Sequence, residues 1–243
     1  MVKLNIDSIP EELKKNRKWV GFKIGEQGKK PIDPKSIGGF ITYASISDPS
    51  TWGTFEEAVK LVEAGLCDGI GYAMTKDDHL IFIDVDLHLD KLTSEDEKQK
   101  TGKLFNVLCR DIKRFQTYME TSISGTGVHL LARGTLDETL KTGASPIAPV
   151  EIYDSNRFII MTGNRIEDYD ISDDEFMLRG IHAFHKQFFQ KKSPSSEYEV
   201  GQERVDPIDG EKYSDQQVLS VALRDKKFNL LWNDKWAEVV DDQ

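Results

Sequence analysis

The stretch GIGYAM-TKDD-H-LIFIDVDL, residues 69 to 87, decides the fold. Two apolar, β-prone runs flank a short polar segment, which predicts a hairpin over 69–74 and 80–87. Side chains alternate along a strand, so Asp84 and Asp86 face the same way, about 6–7 Å apart at Cα. Two carboxylates on one side of an apolar strand are costly to bury unpaired. A hard divalent cation offsets that cost, because Mg²⁺ or Mn²⁺ takes carboxylate oxygens and keeps positions for phosphate and water. Two such ions can form the in-line clamp used for phosphoryl transfer. The alternative is a strand end whose acids are simply wet.

The same two-residue period recurs downstream. TYMETS, the turn ISGTG and VHLLARG predict a second hairpin over 117–134, and VEIY, DSN and RFIIMTG a third over 150–163. Glu151 is again an acid inside an apolar β segment and is the candidate third carboxylate. Ser124, Gly125 and Gly127 supply a tight turn whose N–H groups suit a phosphate. His129 follows on an apolar strand, where its ring could donate to a phosphate; a core histidine is the alternative.

Between these pieces lie helices. Ser8-Ile9-Pro10-Glu11-Glu12 carries helix-start signals. WVGFKI (19–24) reads as a strand and GEQGKKPIDPKSIGG (25–39) as a long loop. Asp48 to Trp52 reads as the cap of a helix over TFEEAVKLVEAG (54–65), with Phe55, Val59 and Val62 as its stripe and Gly65 as its end. EDEKQKTGKLFNVLCRDIKRF (95–115) reads as a helix of alternating charge. Three hairpins with intervening helices predict an α+β fold: an antiparallel sheet covered on one face. Residues 191–213 read as a linker after a domain at 1–190. Residues 214–243, with Ser214 as cap and a Val218, Leu219, Ala222, Leu223 stripe, read as a partial helical module.

Composition narrows the function class. The 243 residues carry a net charge of −10, against coating nucleic acid by bulk charge. Residues 14–35 nevertheless carry +6, so a basic segment on an acidic body can hold phosphate locally. Cys67 and Cys109 lie in no metal-ligand spacing and read as buried thiols. No apolar run approaches the length needed to cross a bilayer, and the N-terminus has no signal-peptide pattern, so the expected address is the cytoplasm.

In this order the motifs resemble the prim-pol domain of the archaeo-eukaryotic primase superfamily, in the branch at the N-terminus of phage and plasmid replication proteins. The resemblance covers residues 9 to 166. It rests on the DxD strand (Asp84, Asp86), the SGxGxH turn-strand (Ser124, Gly125, Gly127, His129) and the acid of VEIY (Glu151). KNRKWVGFKI with KKPIDPKS, SDPSTWGTFEEA, GIGYAMT and SNRFIIMTGN match its flanks. METSIS (119–124) stands where relatives read EISPS, which removes a proline from the turn.

The resemblance implies an RRM-like antiparallel sheet joined to a smaller N-terminal α/β unit, with the site between them. It implies that Asp84, Asp86 and Glu151 bind two Mg²⁺ or Mn²⁺ ions and that His129 contacts the phosphates of the incoming nucleotide. Lys30, Lys29 and Arg157 would approach phosphate or template. The implied partners are a single-stranded DNA template, dNTPs or NTPs, and a helicase fused or associated in a longer protein. Residues 214–243 resemble the start of the helical module that follows such domains. Two rivals stay open: a metal-dependent nuclease, and a non-catalytic DNA- or nucleotide-binding module of a replication initiator. A relaxase lacks its paired histidines here, since His88 and His129 stand alone.

Overall fold

The computed structural model describes residues 3–26, 28–36, 40–86, 94–189, 204–205 and 212–213. The chain divides into two compact units, Met1–Lys191 and Lys192–Gln243. In the first unit the elements run α1 (Glu11–Lys14), β1 (Trp19–Gly25), β2 (Gly28–Ile32), α2 (Phe55–Glu63), β3 (Gly69–Met74), β4 (Leu80–Asp86), α3 (Glu95–Lys113), β5 (Met119–Thr121), β6 (Gly127–Arg133), β7 (Gly143–Ala144), β8 (Val150–Tyr153), β9 (Arg157–Met161) and α4 (Glu175–Phe189). What is described of the second unit is a two-stranded antiparallel ladder, β10 (Arg204–Val205) with β11 (Lys212–Tyr213). That ladder falls within the stretch expected to be a linker; the expected helical module at 214–243 lies outside the described residues.

The strands of the first unit form two antiparallel sheets, ordered β2-β1-β3-β9 and β5-β6-β4-β8-β7. This corrects the expectation of one sheet built from three hairpins. Of the three expected hairpins only the second, β5–β6, forms as one. β3 pairs with β1 and β9, whereas β4 pairs with β6 and β8. At residues 75–79 and again at 154–156 the chain therefore leaves one sheet for the other. These two crossings are tied together by the Lys76 ammonium on the buried Asp154 carboxylate, 2.6 Å apart. Asp78 fixes the first crossing by accepting from the Thr75 N–H (2.7 Å), the Lys18 ammonium (2.8 Å) and the Tyr72 hydroxyl (2.8 Å). His79 then turns the chain in the left-handed region at φ 48°.

Other expectations shift for local reasons. GKKPI, read as loop, is the edge strand β2, where Pro31 is tolerated because an edge leaves one side of the ladder open. Asp48 caps only a short 3₁₀ turn; Thr54 caps α2 in a capping box with Glu57. The face that α2 buries is Phe55, Ala58 and Leu61, with Val59 and Val62 at its flank. Ser8 ends a 3₁₀ turn, and Pro10 precedes α1. Helix α4, at a stretch given no element above, is capped by Asp174, which accepts from the Met177 N–H (2.8 Å).

Alternation along β4 divides the molecule's interior. Ile81, Ile83 and Val85 pack with Leu108 and Ile112 of α3 and with Ile181, Phe184 and Phe188 of α4. Leu80 and Phe82 point the other way, into a second cluster with Trp19, Tyr72 and Ile159 of the four-stranded sheet. The larger sheet thus carries helices on one face and meets the other sheet on part of its opposite face. Cys67 is buried and Cys109 half-buried; both are free thiols. Among the described residues no helix is long and apolar enough to cross a membrane.

Candidate active site

Asp84 lies on the face of β4 turned away from the helices. Register places it directly opposite His129 of β6 on one side and Glu151 of β8 on the other. Glu120 of β5 is in turn opposite His129. Residues paired across neighbouring strands share a face. Glu120, His129, Asp84 and Glu151 therefore form one row across four strands, and Asp86 stands two residues along β4 on the same face.

Asp84 and His129 of this row line a cleft of about 540 Å³ whose walls also include Phe22, Lys29, Phe82 and Arg157. The Asp84 side chain keeps 26% of its exposure, and its Oδ1 is buried without a hydrogen-bond partner. Burial pushes its pKa up, and the nearby Asp86 and Glu151 charges add to that, against a lowering from His129. A buried, unpartnered carboxylate oxygen beside two further carboxylates fits a hard cation. Yet no group of three His, Cys, Asp or Glu side chains among the described residues is drawn close enough to hold one ion as they stand. One reason is visible at Glu151. Its Oε2 accepts from the Tyr153 hydroxyl (2.8 Å) and from Arg157 Nη2 (3.1 Å), and the Arg157 guanidinium lies over the Tyr153 ring at 4.4 Å. Asp86 accepts from the Thr126 hydroxyl at 3.3 Å.

The glycine turn departs from the expected phosphate nest. The Gly125 N–H donates to the Ser122 carbonyl (2.9 Å), Thr126 N–H to the Ser124 hydroxyl (3.3 Å) and Gly127 N–H to the Ser122 hydroxyl (3.0 Å). Small hydroxyl side chains compete for backbone donors, so these three N–H groups are satisfied inside the turn. What the turn offers outward is the Ser124 and Thr126 hydroxyls, 2.9 Å apart. Glycine is required at 127 for another reason: a Cβ there would come within 2.9 Å of the Val85 carbonyl and 3.1 Å of the Asp86 carboxyl carbon.

The two lysines separate. β2 alternates, so Lys29 turns into the cleft, while Lys30 projects from the other face and stacks over the Tyr43 ring at 5.7 Å. Lys30 does not line the cleft with the acids.

Sequence reasoning missed Glu120. It is fully buried, and both its oxygens are occupied. Oε1 accepts from His129 Nδ1 (3.0 Å) and the Thr162 N–H (2.9 Å); Oε2 accepts from the Tyr118 hydroxyl (2.7 Å) and the Gly163 N–H (2.8 Å). The available signal was an acid in the apolar run TYMETS, of the same kind that drew attention to Glu151. His129 itself is buried, with its Nε2 3.8 Å from Asp84 Oδ1 and its ring edge-on to Phe82 at 5.2 Å. Burial alone would lower its pKa, but Asp84 and the bond to Glu120 together raise it.

No protein-family model matches the chain. A DNA primase-polymerase of Nitratiruptor phage NrS-1 is 32% identical over 178 residues, which is 72% of this chain and 23% of that protein. The chain thus spans less than a quarter of the length of the curated relative it matches. With the DxD, SGTGxH and VEIY segments in their expected order on adjacent strands, the chain carries a prim-pol domain of the phage primase-polymerase kind.

Proposed function

We propose that the chain is a DNA-templated nucleotidyltransferase, a primase, a DNA polymerase or both, that works by two-metal phosphoryl transfer in the replication of a phage, plasmid or other mobile element. The observation that carries this reading is the register of Asp84, flanked on one face by His129 and Glu151 with the Oδ1 of Asp84 buried and unpartnered. Strand order also supports the finer assignment to the archaeo-eukaryotic primase fold. β4, α3 and β5 form a crossover split by β6, and β8-β4-β6-β5 is the order of an RRM-like split β-α-β sheet.

Asp84, Asp86 and Glu151 are the residues that would hold Mg²⁺ or Mn²⁺. Bound there, the ions would neutralise phosphate charge and activate the attacking hydroxyl. Lys29 and His129 face the same cleft and are placed to meet phosphate oxygens. The apolar wall of Phe22, Phe82 and Phe158 suits a sugar and base. Arg157 neutralises Glu151 here, and its half-exposed side chain is long enough to turn to a phosphate when a cation takes that carboxylate.

Primer-free synthesis on single-stranded DNA, with labelled dNTPs or NTPs and either ion, tests the reading. Incorporation that Asp84→Asn abolishes is the expected result. Strand nicking without incorporation would make the chain a nuclease, and binding without either reaction would make it a non-catalytic module.

A further inference from the structure

Glu120 is a carboxylate with no role in the reaction as outlined, and it is the most completely enclosed acid beside the cleft. Burying a carboxylate is costly, and the usual compensation is an ion pair or a full set of donors. Four donors converge on it: Tyr118, His129, Thr162 and Gly163. Tyr118, Thr162 and Gly163 donate through neutral groups, so His129 is the ring whose state and direction the carboxylate can govern.

We infer that Glu120 is a positioning residue for His129, which sets the ring so that Nε2, and not Nδ1, is presented to the cleft. An ionised carboxylate only accepts, so the Nδ1 atom at 3.0 Å must carry a proton. That fixes the proton on Nδ1 and the in-plane direction of the ring. Phe82 packs against the ring in an edge-to-face pair, and Nε2 is left on the side of Asp84. The same carboxylate accepts two successive N–H groups at Thr162 and Gly163, just past the end of β9. Glu120 is thereby held by backbone from beyond its own hairpin and cannot follow small movements of the glycine turn. Histidines in other reaction centres are oriented in this manner by a carboxylate on the far nitrogen, and losing such a partner typically costs about 10- to 100-fold in affinity or activity.

The kinetic arm of the test rests on the nucleotidyltransferase reading; the spectroscopic arm does not. With ¹⁵N-labelled histidine in the metal-free protein at one fixed pH, the His129 ring is expected with its Nδ1 fully protonated, whether or not Nε2 also carries the proton it would donate to a phosphate. Glu120→Gln should convert the ring to a mixture. An unchanged ring spectrum in that variant would overturn the inference, whether or not the protein incorporates nucleotides. In kinetics, Glu120→Gln should lower kcat/KM for the nucleotide by about 10- to 100-fold in the wild-type background and by less than about 2-fold in a His129→Ala background, because residues acting as a unit are non-additive. Equal losses in both backgrounds would make Glu120 a staple only. Tyr118→Phe removes another donor to the same carboxylate without touching the ring, so it controls for simple destabilisation. It should leave kcat/KM within about 2-fold and the ring spectrum intact; a loss as large as that of Glu120→Gln would also overturn the inference.

Discussion

Asp84→Asn should make the metal-free protein more stable while destroying its activity. The substitution keeps side-chain volume and removes one charge. The folded protein disfavours that charge: burial, Asp86 and Glu151 outweigh the attraction of His129, and Oδ1 has no partner. A buried polar atom left unsatisfied costs about 1–3 kcal/mol, and a side chain 26% exposed belongs at the lower end, near 1 kcal/mol. For a domain of this size 1 kcal/mol moves Tm by about 2–4 °C, so the variant should melt about 2–4 °C higher in chelator. Saturating Mn²⁺ should reverse the order. A ligand at 100 times its Kd stabilises by about 2.7 kcal/mol, which is about 5–11 °C, and only the wild type should gain it. Differential scanning calorimetry with and without Mn²⁺ reads both effects on the same samples. A variant that melts lower than wild type in chelator, or that gains as much from Mn²⁺, would refute the argument that Asp84 is an uncompensated carboxylate awaiting a cation.

Three further outcomes follow from other parts of the molecule. Binding to single-stranded DNA should weaken with salt by about 0.7 log unit per log unit of salt for each phosphate contacted; Lys29→Ala should make that slope shallower while Lys30→Ala, on the opposite strand face, should not, and equal slopes for the two variants in a fluorescence-anisotropy titration would remove the distinction. Gly163 has φ 69° and its Cβ position is occupied by the Asn5 carbonyl, so Gly163→Ala should cost at least about 2 kcal/mol in urea unfolding, and an unchanged midpoint would contradict the packing. His185 donates through Nε2 to the Lys141 carbonyl (2.7 Å), has an unpartnered Nδ1, and is held below its ordinary pKa of 6.5 by burial. The unfolded chain then binds the extra proton first, so the contribution of His185 to stability should be level above pH 6.5 and fall as the pH drops through the window below it. Chemical denaturation of His185→Gln across pH 5–8 should show a flatter acid limb; an identical limb would mean that another group governs it.

The candidate site was legible where its reason is local. The two-residue period of LIFIDVDL puts Asp84 and Asp86 on one face whatever else the chain does, and an acid between apolar neighbours at Glu151 or a histidine after a glycine turn can be seen without knowing its surroundings. The α+β character and most elements followed from the same periodicities, and α4 could have been found: Met177, Ile181, Phe184 and Phe188 recur at helical spacing behind an Asp174 cap. Pairing was not legible. TKDD and DSN are turn-forming segments, and a turn signal says that the chain changes course without saying which strand it will meet. Here both segments carry the chain between sheets, and the Lys76–Asp154 contact that joins them spans 78 residues. Glu120 was hidden for the same reason, since its donors come from residues 118, 129, 162 and 163 and only the folded chain brings them together. The difference between Glu120 and Asp84 makes the point physically. Both are acids on one face of the same sheet, on β4 and β5 either side of β6, and in sequence they look alike. One is surrounded by four donors and has no capacity left. The other faces two carboxylates with an oxygen unpartnered, and that unspent capacity, which no residue pattern records, is what makes Asp84 the candidate for holding a cation.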